Sequence, residues 1–310
     1  AASDVYKRQY VKIPHAAAYT PQDRTAGSWT PCTTATAAKF TAAGYFFAEM
    51  LNDVLGVPVG IIDCSWGGSR VESWMSREVL SGYSDIDLTE EGISRVAQHL
   101  RPMVMYNAML RPVAGYTVRG FLWYQGESNV GRYMDYAARL ADMVSLWRGL
   151  WGRDDLPFYY VEIAPFEYGN GKSPYLREAQ CRAQELIPNS GMICTNDLVE
   201  PYEFCNVHPK NKRDVGYRLA FMALNKTYGM KEIACQSPQY ESMEIRDGKA
   251  RIRFKYMDQG FNRMADIRGF EICGADKVFY PADAVVENQF ALVVSSEKVP
   301  EPCLLYTSPS

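Results

Sequence analysis

Over residues 37–231 the chain alternates between two apolar spacings. AAKFTAAGYFFAEMLNDVLG (37–56) sets Phe40, Ala43, Phe47, Leu51 and Val54 at intervals of three and four, and Gly56 follows as a helix stop. VPVGIID (57–63) is a short apolar run of strand length that ends at the turn CSWGGS (64–69). A short helical stretch around 71–80 and a longer one over about 90–110 come next. VRGFLWY (118–124) reads as a second buried strand, and a helix over about 132–150 carries Tyr136, Leu140, Met143 and Trp147 on one face. PFYYVEIA then reads as a strand, LREAQCRAQELI as a helix and GMICTND as a strand. PKNKRDVGYRLAFMALNKTYG reads as a helix with Pro209 at its first position and Gly229 beyond its end. Strands alternating with helices predict an α/β fold, a parallel sheet covered on both faces.

From about residue 232 the helical period disappears. MEIRDGKARIRFKYM predicts a hairpin turning at Asp247-Gly248, and GFEICG, VFYPA and ALVVSS continue as short strands, so a small β-rich C-terminal domain is expected over 232–302. The apolar content of 47% in 310 residues fills one large core and a small second one. The net charge of -3, without a dense Lys/Arg cluster, argues against nucleic acid or anionic membrane as a partner. No apolar run reaches the roughly 20 residues of a membrane span. The eight cysteines form no C-x-x-C pair and have no histidine at ligand spacing, so no metal site and no cofactor is expected.

The two ends stand apart. DVYKRQ (4–9) is what the transposon mosaic end used in sequencing-library preparation encodes, and CLLYTS (303–308) is one frame of its reverse complement. Residues 1–9 and 303–310 are therefore expected to be library-derived, with native sequence between them cut at both ends.

In open parallel sheets ligands bind beyond the carboxyl ends of the strands. Three strand ends here carry polar clusters: CSWGGS, then WYQGESN (123–129), then TND (195–197) with the loop to His208. The Gly67-Gly68 pair can turn backbone N–H groups toward a ligand, or can simply make a tight turn. Gln125, Glu127, Ser128 and Asn129 form either a structural hydrogen-bond knot or a site, and Asn129 can offer a side-chain N–H to a developing oxyanion. His208, one of three histidines, sits at the expected N-terminal edge of a helix, where the dipole favours a neutral base. His15 and His99 have no comparable context. GNGKS (169–173) fails as a phosphate loop because Phe166 stands where the first glycine must be, and no G-x-S-x-G elbow occurs.

VPVGIIDCSWGGSRVESW, RGFLWYQGESN and NVHPKNKRDVGYRLA, in this order, resemble the sialate O-acetylesterase family of carbohydrate esterases, within the SGNH hydrolases. The similarity runs over about 29–302 and takes in GFEICGADKVFYPADA. It implies a flavodoxin-like three-layer α/β/α fold, with 10–231 as the esterase domain, and metal-independent hydrolysis of acetyl esters on sugars by a serine nucleophile. Residue by residue, it makes His208 the base, Asn129 and one of Gly67 and Gly68 the oxyanion donors, and Trp66, Gln125 and Glu127 residues lining the site for an O-acetylated sugar or glycan. It also implies export to the periplasm or beyond the cell. Two departures stand out. The family's nucleophile lies in a Gly-Gln-Ser-Asn motif on an early strand, which this chain lacks, so the chain by itself is expected to be inactive. Many SGNH enzymes carry an aspartate three residues before the histidine, where Cys205 stands here, and this leaves Asp197, Glu200 and Glu203 as orienting acids, Asp197 first. A plant-polysaccharide (xylan-type) acetylesterase and a non-catalytic glycan binder that stacks sugars on Trp66, Trp74 and Trp123 are the rival expectations.

Overall fold

A computed structural model describes residues 7–169, 171–257, 260–261 and 267–307; the terminal residues 1–6 and 308–310 lie outside the described part. The chain divides at Cys235 into two compact units. The first begins with strand β1 (Arg8–Lys12), the short β2 (Thr30–Pro31), helix α1 (Ala42–Leu55) and β3 (Val59–Asp63). Two short helices, α2 (Arg77–Leu80) and α3 (Glu90–Ser94), precede β4 (Phe121–Tyr124) and α4 (Tyr136–Trp151). Then come β5 (Phe158–Val161), α5 (Ser173–Leu186), β6 (Ser190–Ile193) and α6 (Lys212–Lys226). This is the expected α/β alternation with two added strands, β1 and β2. Arg8 and Gln9, in the stretch expected to be library-derived, belong to β1, which runs parallel to β3.

The strands form two ladders, β2-β1-β3 and β4-β5-β6, parallel throughout except for the short antiparallel β2. They lie in one layer, because each face of both is covered by the same core. On one face Val59, Leu122, Tyr159, Val161 and Ile193 meet α1 through Leu51 and α6 through Val215 and Leu219. On the other, Val11, Ile62, Trp123, Phe158 and Tyr160 pack beneath Leu140, Met143 and Trp147 of α4 and Leu176 and Ala183 of α5. Helices on both faces make the three-layer α/β/α arrangement. Each fully buried aliphatic or aromatic side chain in these cores contributes about 1.5–3 kcal/mol.

The long helix expected over 90–110 is not formed. Thr89 caps α3, which ends at Ser94, and a π-helical turn at Tyr106–Leu110 follows, because Pro102 interrupts the run and Met103 takes a left-handed φ of 60°. Helix α6 begins at Lys212 rather than at Pro209, since the Asn211 side chain accepts the Asp214 N–H and so wins the cap. His208 therefore lies in the loop ahead of the helix, outside the first turn where a dipole acts. Val54 is exposed: the buried face of α1 runs through Gly44, Ala48 and Leu51. Among the described residues no helix is long and apolar enough to cross a membrane.

The second unit, from Gln236, is a six-stranded antiparallel sheet. Its strands are β7 (Gln239–Arg246), β8 (Lys249–Lys255), β9 (Phe270–Cys273), β10 (Tyr280–Glu287), β11 (Ala291–Ser295) and β12 (Leu304–Thr307), in the order β12-β9-β10-β11-β8-β7. Asp247 and Gly248, at φ 53° and 69°, make the expected two-residue hairpin turn. Ala250 and Ile252 of β8 and Leu292 and Val294 of β11 alternate inward to form its core.

Helices α1 and α6 touch at their backbones. A Cβ on Gly216 would stand 2.6 Å from the Ala43 carbonyl oxygen and 2.9 Å from the Phe47 nitrogen. Gly216→Ala should lower the unfolding free energy in a denaturant titration by about 1–3 kcal/mol, because overpacking against main chain outweighs the roughly 1 kcal/mol alanine gains as a helix former.

Candidate functional site

The turn after β3 opens on a buried acid. Asp63 accepts a hydrogen bond from the Tyr10 hydroxyl and one of 2.5 Å from the exposed Ser65 hydroxyl. Trp66 is half-buried and stacks on His15, with ring centroids 4.5 Å apart. Gly67 faces open space, while Gly68 takes φ 77° with His99 3.2 Å from where its Cβ would be, so a side chain there is strained and crowded. Neither glycine N–H has an acceptor among the described residues. Ser69 is buried, and its hydroxyl oxygen accepts the Trp74 indole N–H at 2.9 Å.

The turn after β4 is wired to the first. Gly126 (φ 151°) has no room for a Cβ, which would stand 2.6 Å from Ile163. Gln125 donates from Nε2 to the Ser69 carbonyl and to Asn129 Oδ1, at 2.9 and 2.8 Å, and the Ser128 hydroxyl donates to the Gly68 carbonyl at 2.7 Å. Asn129 is fully enclosed. Its Oδ1 also accepts the Val71 N–H, and its Nδ2 donates to Glu72 Oε2 at 2.9 Å, which leaves one amide N–H with no acceptor among the described residues. Glu72, itself buried, is held on its other oxygen by Arg139 at 2.6 Å and by Arg132 at 3.3 Å, and Arg139 continues to Asp85 at 2.5 Å.

The exposed His208 stands in a loop fixed from beneath. Asn206 Oδ1 accepts the His208 backbone N–H. Glu203, buried, accepts the Glu200 N–H on one oxygen and the Lys210 N–H on the other, so a single carboxylate bridges the loop on both sides of the histidine. The Glu200 side chain completes a capping box with Glu203. Asp197 is bound by both terminal nitrogens of Arg218, which holds its carboxyl below the usual carboxylate range. All three acids named from the sequence are thus engaged in holding backbone or Arg218. The carboxylate whose charge couples to His208 is Glu127. Burial raises its pKa, against the opposing pull of its own backbone N–H, Lys212 and His208. Lys212, lowered by burial, donates to the Tyr124 hydroxyl at 3.2 Å at the end of β4. The first two turns are therefore joined by hydrogen bonds, and the third reaches the second through Glu127, Lys212 and Tyr124. Trp74 and Trp123 lie in the core rather than on the surface. Among the described residues no three His, Cys, Asp or Glu side chains cluster as metal ligands would.

The first unit is a three-layer α/β sheet with polar turns gathered at its carboxyl edge, where open parallel sheets bind ligands. The family model for carbohydrate esterase, sialic acid-specific acetylesterase, matches residues 16–225, more than half of the chain, and the chain belongs to that family. Sialate O-acetylesterase of Mus musculus is 27% identical over 281 residues, covering 76% of this chain and 52% of that one. The Homo sapiens protein of the same name is 28% identical over 254 residues, covering 76% and 49%. The chain thus spans about half the length of these relatives. The crystal structure of a carbohydrate acetylesterase from Xanthomonas citri superposes with a TM-score of 0.84 at 32% identity, over 97% of this chain and 68% of that one.

Glu72, Arg139 and Lys212 were missed from the sequence, although two of them left a signal. Arg139 falls on the same helical face as Tyr136, Leu140 and Met143, and Glu72 sits between Val71 and Trp74. A charge on an apolar face needs a buried partner. Arg139→Leu should destabilise the protein by about 3–5 kcal/mol in denaturant unfolding, because it strips the strongest partner from a buried carboxylate. Adding Glu72→Gln should recover part of that loss, and no recovery would mean the Glu72 charge is not what Arg139 balances.

Proposed function

We propose that the complete protein is a carbohydrate O-acetylesterase that removes acetyl groups from sialic acid or a related sugar through a serine nucleophile. What supports this reading is that the Gly67 and Gly68 amides, without an acceptor among the described residues, lie on a turn hydrogen-bonded to the Gln125–Asn129 turn, whose Glu127 feels the charge of His208. In this reading His208 takes the serine proton as that oxygen attacks the acetyl carbonyl. The negative oxygen is met by the Gly67 or Gly68 N–H and by Asn129, and His208 returns the proton to the sugar hydroxyl that leaves. Water then repeats the sequence on the acetyl-enzyme. Glu127, rather than Asp197, supports the imidazolium. Asp197 serves by holding Arg218 against the Cys194 carbonyl at the start of the histidine loop. The Trp66–His15 stack offers an aromatic face for a sugar ring.

The serine is proposed to come from outside this sequence. Ser69 is buried beneath Trp74, Ser128 donates to the Gly68 carbonyl, and Ser65 donates to Asp63 rather than to a histidine. This chain alone should therefore give no turnover of an aryl acetate above buffer, whereas the complete protein should hydrolyse both an aryl acetate and an O-acetylated sialic acid. In the complete protein His208→Ala should abolish turnover, and Glu127→Gln should lower kcat on the order of a hundredfold. Activity of this chain that Ser69→Ala removes would overturn the assignment of the nucleophile. A complete protein that binds O-acetylated sugars and never hydrolyses them would be a glycan binder, and preference for acetylated xylan over sialic acid would shift the substrate class.

A further inference from the structure

Arg70 and Arg132 cross between the first two turns in opposite directions. Arg70, directly after the glycine turn, sends Nε to the Ser128 carbonyl at 3.3 Å, and Arg132, in the segment after β4, sends Nη1 back to Glu72 at 3.3 Å. Both guanidiniums therefore lie between the same two stretches of chain, 70–72 and 128–132. The helical run after β4 breaks at Arg132, which takes φ -125° and ψ 31°.

The charges around them do not balance. Glu72 and Asp85 are the carboxylates turned to this cluster, and Arg139 takes both at the shortest range, 2.6 and 2.5 Å. Arg132 reaches the same two at 3.3 and 3.6 Å. Asp135 is exposed and meets Arg139 at 3.6 Å. Arg70 is half-buried, and its terminal N–H groups have no acceptor among the described residues. Burial and the neighbouring Arg132 charge both act against the Arg70 cation, and Glu72 offsets them only in part, so its pKa is lowered. A half-buried cation without a partner is costly, and a bound anion removes that cost.

This imbalance lies at the candidate site. Ser128, whose carbonyl holds Arg70, stands beside Glu127 and donates its hydroxyl to the Gly68 carbonyl. Joining the two turns uses only the Arg70 Nε–H and leaves the terminal fork unexplained.

We propose that Arg70, with Arg132 beside it, forms a carboxylate subsite next to the glycine turn, and that the acetylated sugar is therefore a sugar acid. The inference rests on the esterase reading above and decides between the sugars that reading leaves open: sialic acid carries a carboxylate, and a xylose unit carries none. The planar fork of Arg70 suits the two oxygens of a carboxylate, and the Arg132 charge adds attraction while staying on Glu72. Arg70 thus acts on specificity, holding the sugar by its acid group while the acetyl group meets the glycine amides.

The test compares acetate release by the complete protein from an O-acetylated N-acetylneuraminic acid and from the methyl ester of the same compound, in which the carboxylate charge is gone. The acid should have the higher kcat/KM, on the order of tenfold to a hundredfold and mostly through KM. Arg70→Gln should bring that ratio close to one, and Arg70→Lys, which keeps the charge without the fork, should restore part of it. Arg132→Gln should lower the ratio less, because that guanidinium is shared with Glu72. Equal kcat/KM for the two compounds in the unaltered protein would overturn the subsite without recourse to any variant, and so would a preference that survives Arg70→Gln. Hydrolysis of an aryl acetate without preference between acid and ester would leave the esterase standing and remove the subsite alone. A complete protein that hydrolyses nothing would remove the esterase reading instead. Calorimetric titration with N-acetylneuraminic acid and its methyl ester would then decide the subsite, by the same ratio in Kd and the same loss in Arg70→Gln.

Discussion

Two half-sheets that share no backbone ladder among the described residues are held together at their carboxyl ends by side-chain hydrogen bonds converging on Asn129 and Glu72. Asn129 takes the Val71 N–H from the segment after β3 and the Gln125 amide from the end of β4, and gives its own N–H to Glu72. Glu72 in turn is held by Arg139, from α4, which lies against it. One enclosed amide and one enclosed ion pair therefore fix three elements at once. Such a network is costly when incomplete and rigid when complete, since each buried polar atom has a single low-energy arrangement. The glycine turn is held beside Gly126 by the bonds that Gln125 and Ser128 donate to the Ser69 and Gly68 carbonyls.

The histidine loop is built on the opposite plan. His208 is exposed, and its loop is held through backbone by Glu203 and through Asp197–Arg218 at its start. Its coupling to the rigid side runs through Glu127, Lys212 and Tyr124, where burial penalises both charges while each opposes the penalty on the other. The fixed hydrogen-bond donors thus lie on one side of the candidate site, and this pair of partly buried charges on the other.

The alternation of strands and helices was legible because both cores are lined by apolar residues at regular spacing, as in Tyr136, Leu140, Met143 and Trp147. The hairpin was legible because Asp247-Gly248 fits a turn with two positive φ angles. The loop acids were not legible at the level of roles. Asp197, Glu200 and Glu203 are equivalent in sequence, and only the fold shows that Arg218 takes the first while the other two bind backbone. Pro209 suggested a helix start, yet two residues later Asn211 offered a better acceptor for the free N–H groups. The long helix expected after Glu90 failed for a nonlocal reason as well as a local one: the Met103 N–H bonds the Glu72 carbonyl and draws that segment out of helical register.

An interrupted sheet shifts the burden of stability to what lies above it. With no ladder between β3 and β4, the contact of α1 with α6 at Gly216 and the shared core of Leu51, Val215 and Leu219 span the break on one face, and α4 with Arg139 spans it on the other. Close helix contact needs a residue without a side chain, and the ion pair needs full enclosure, so both devices tolerate little change. The polar turns lie directly over the same break. Whatever completes the ladder there also determines how far the glycine turn stands from Gly126, and so binds the integrity of the sheet to the geometry of the site.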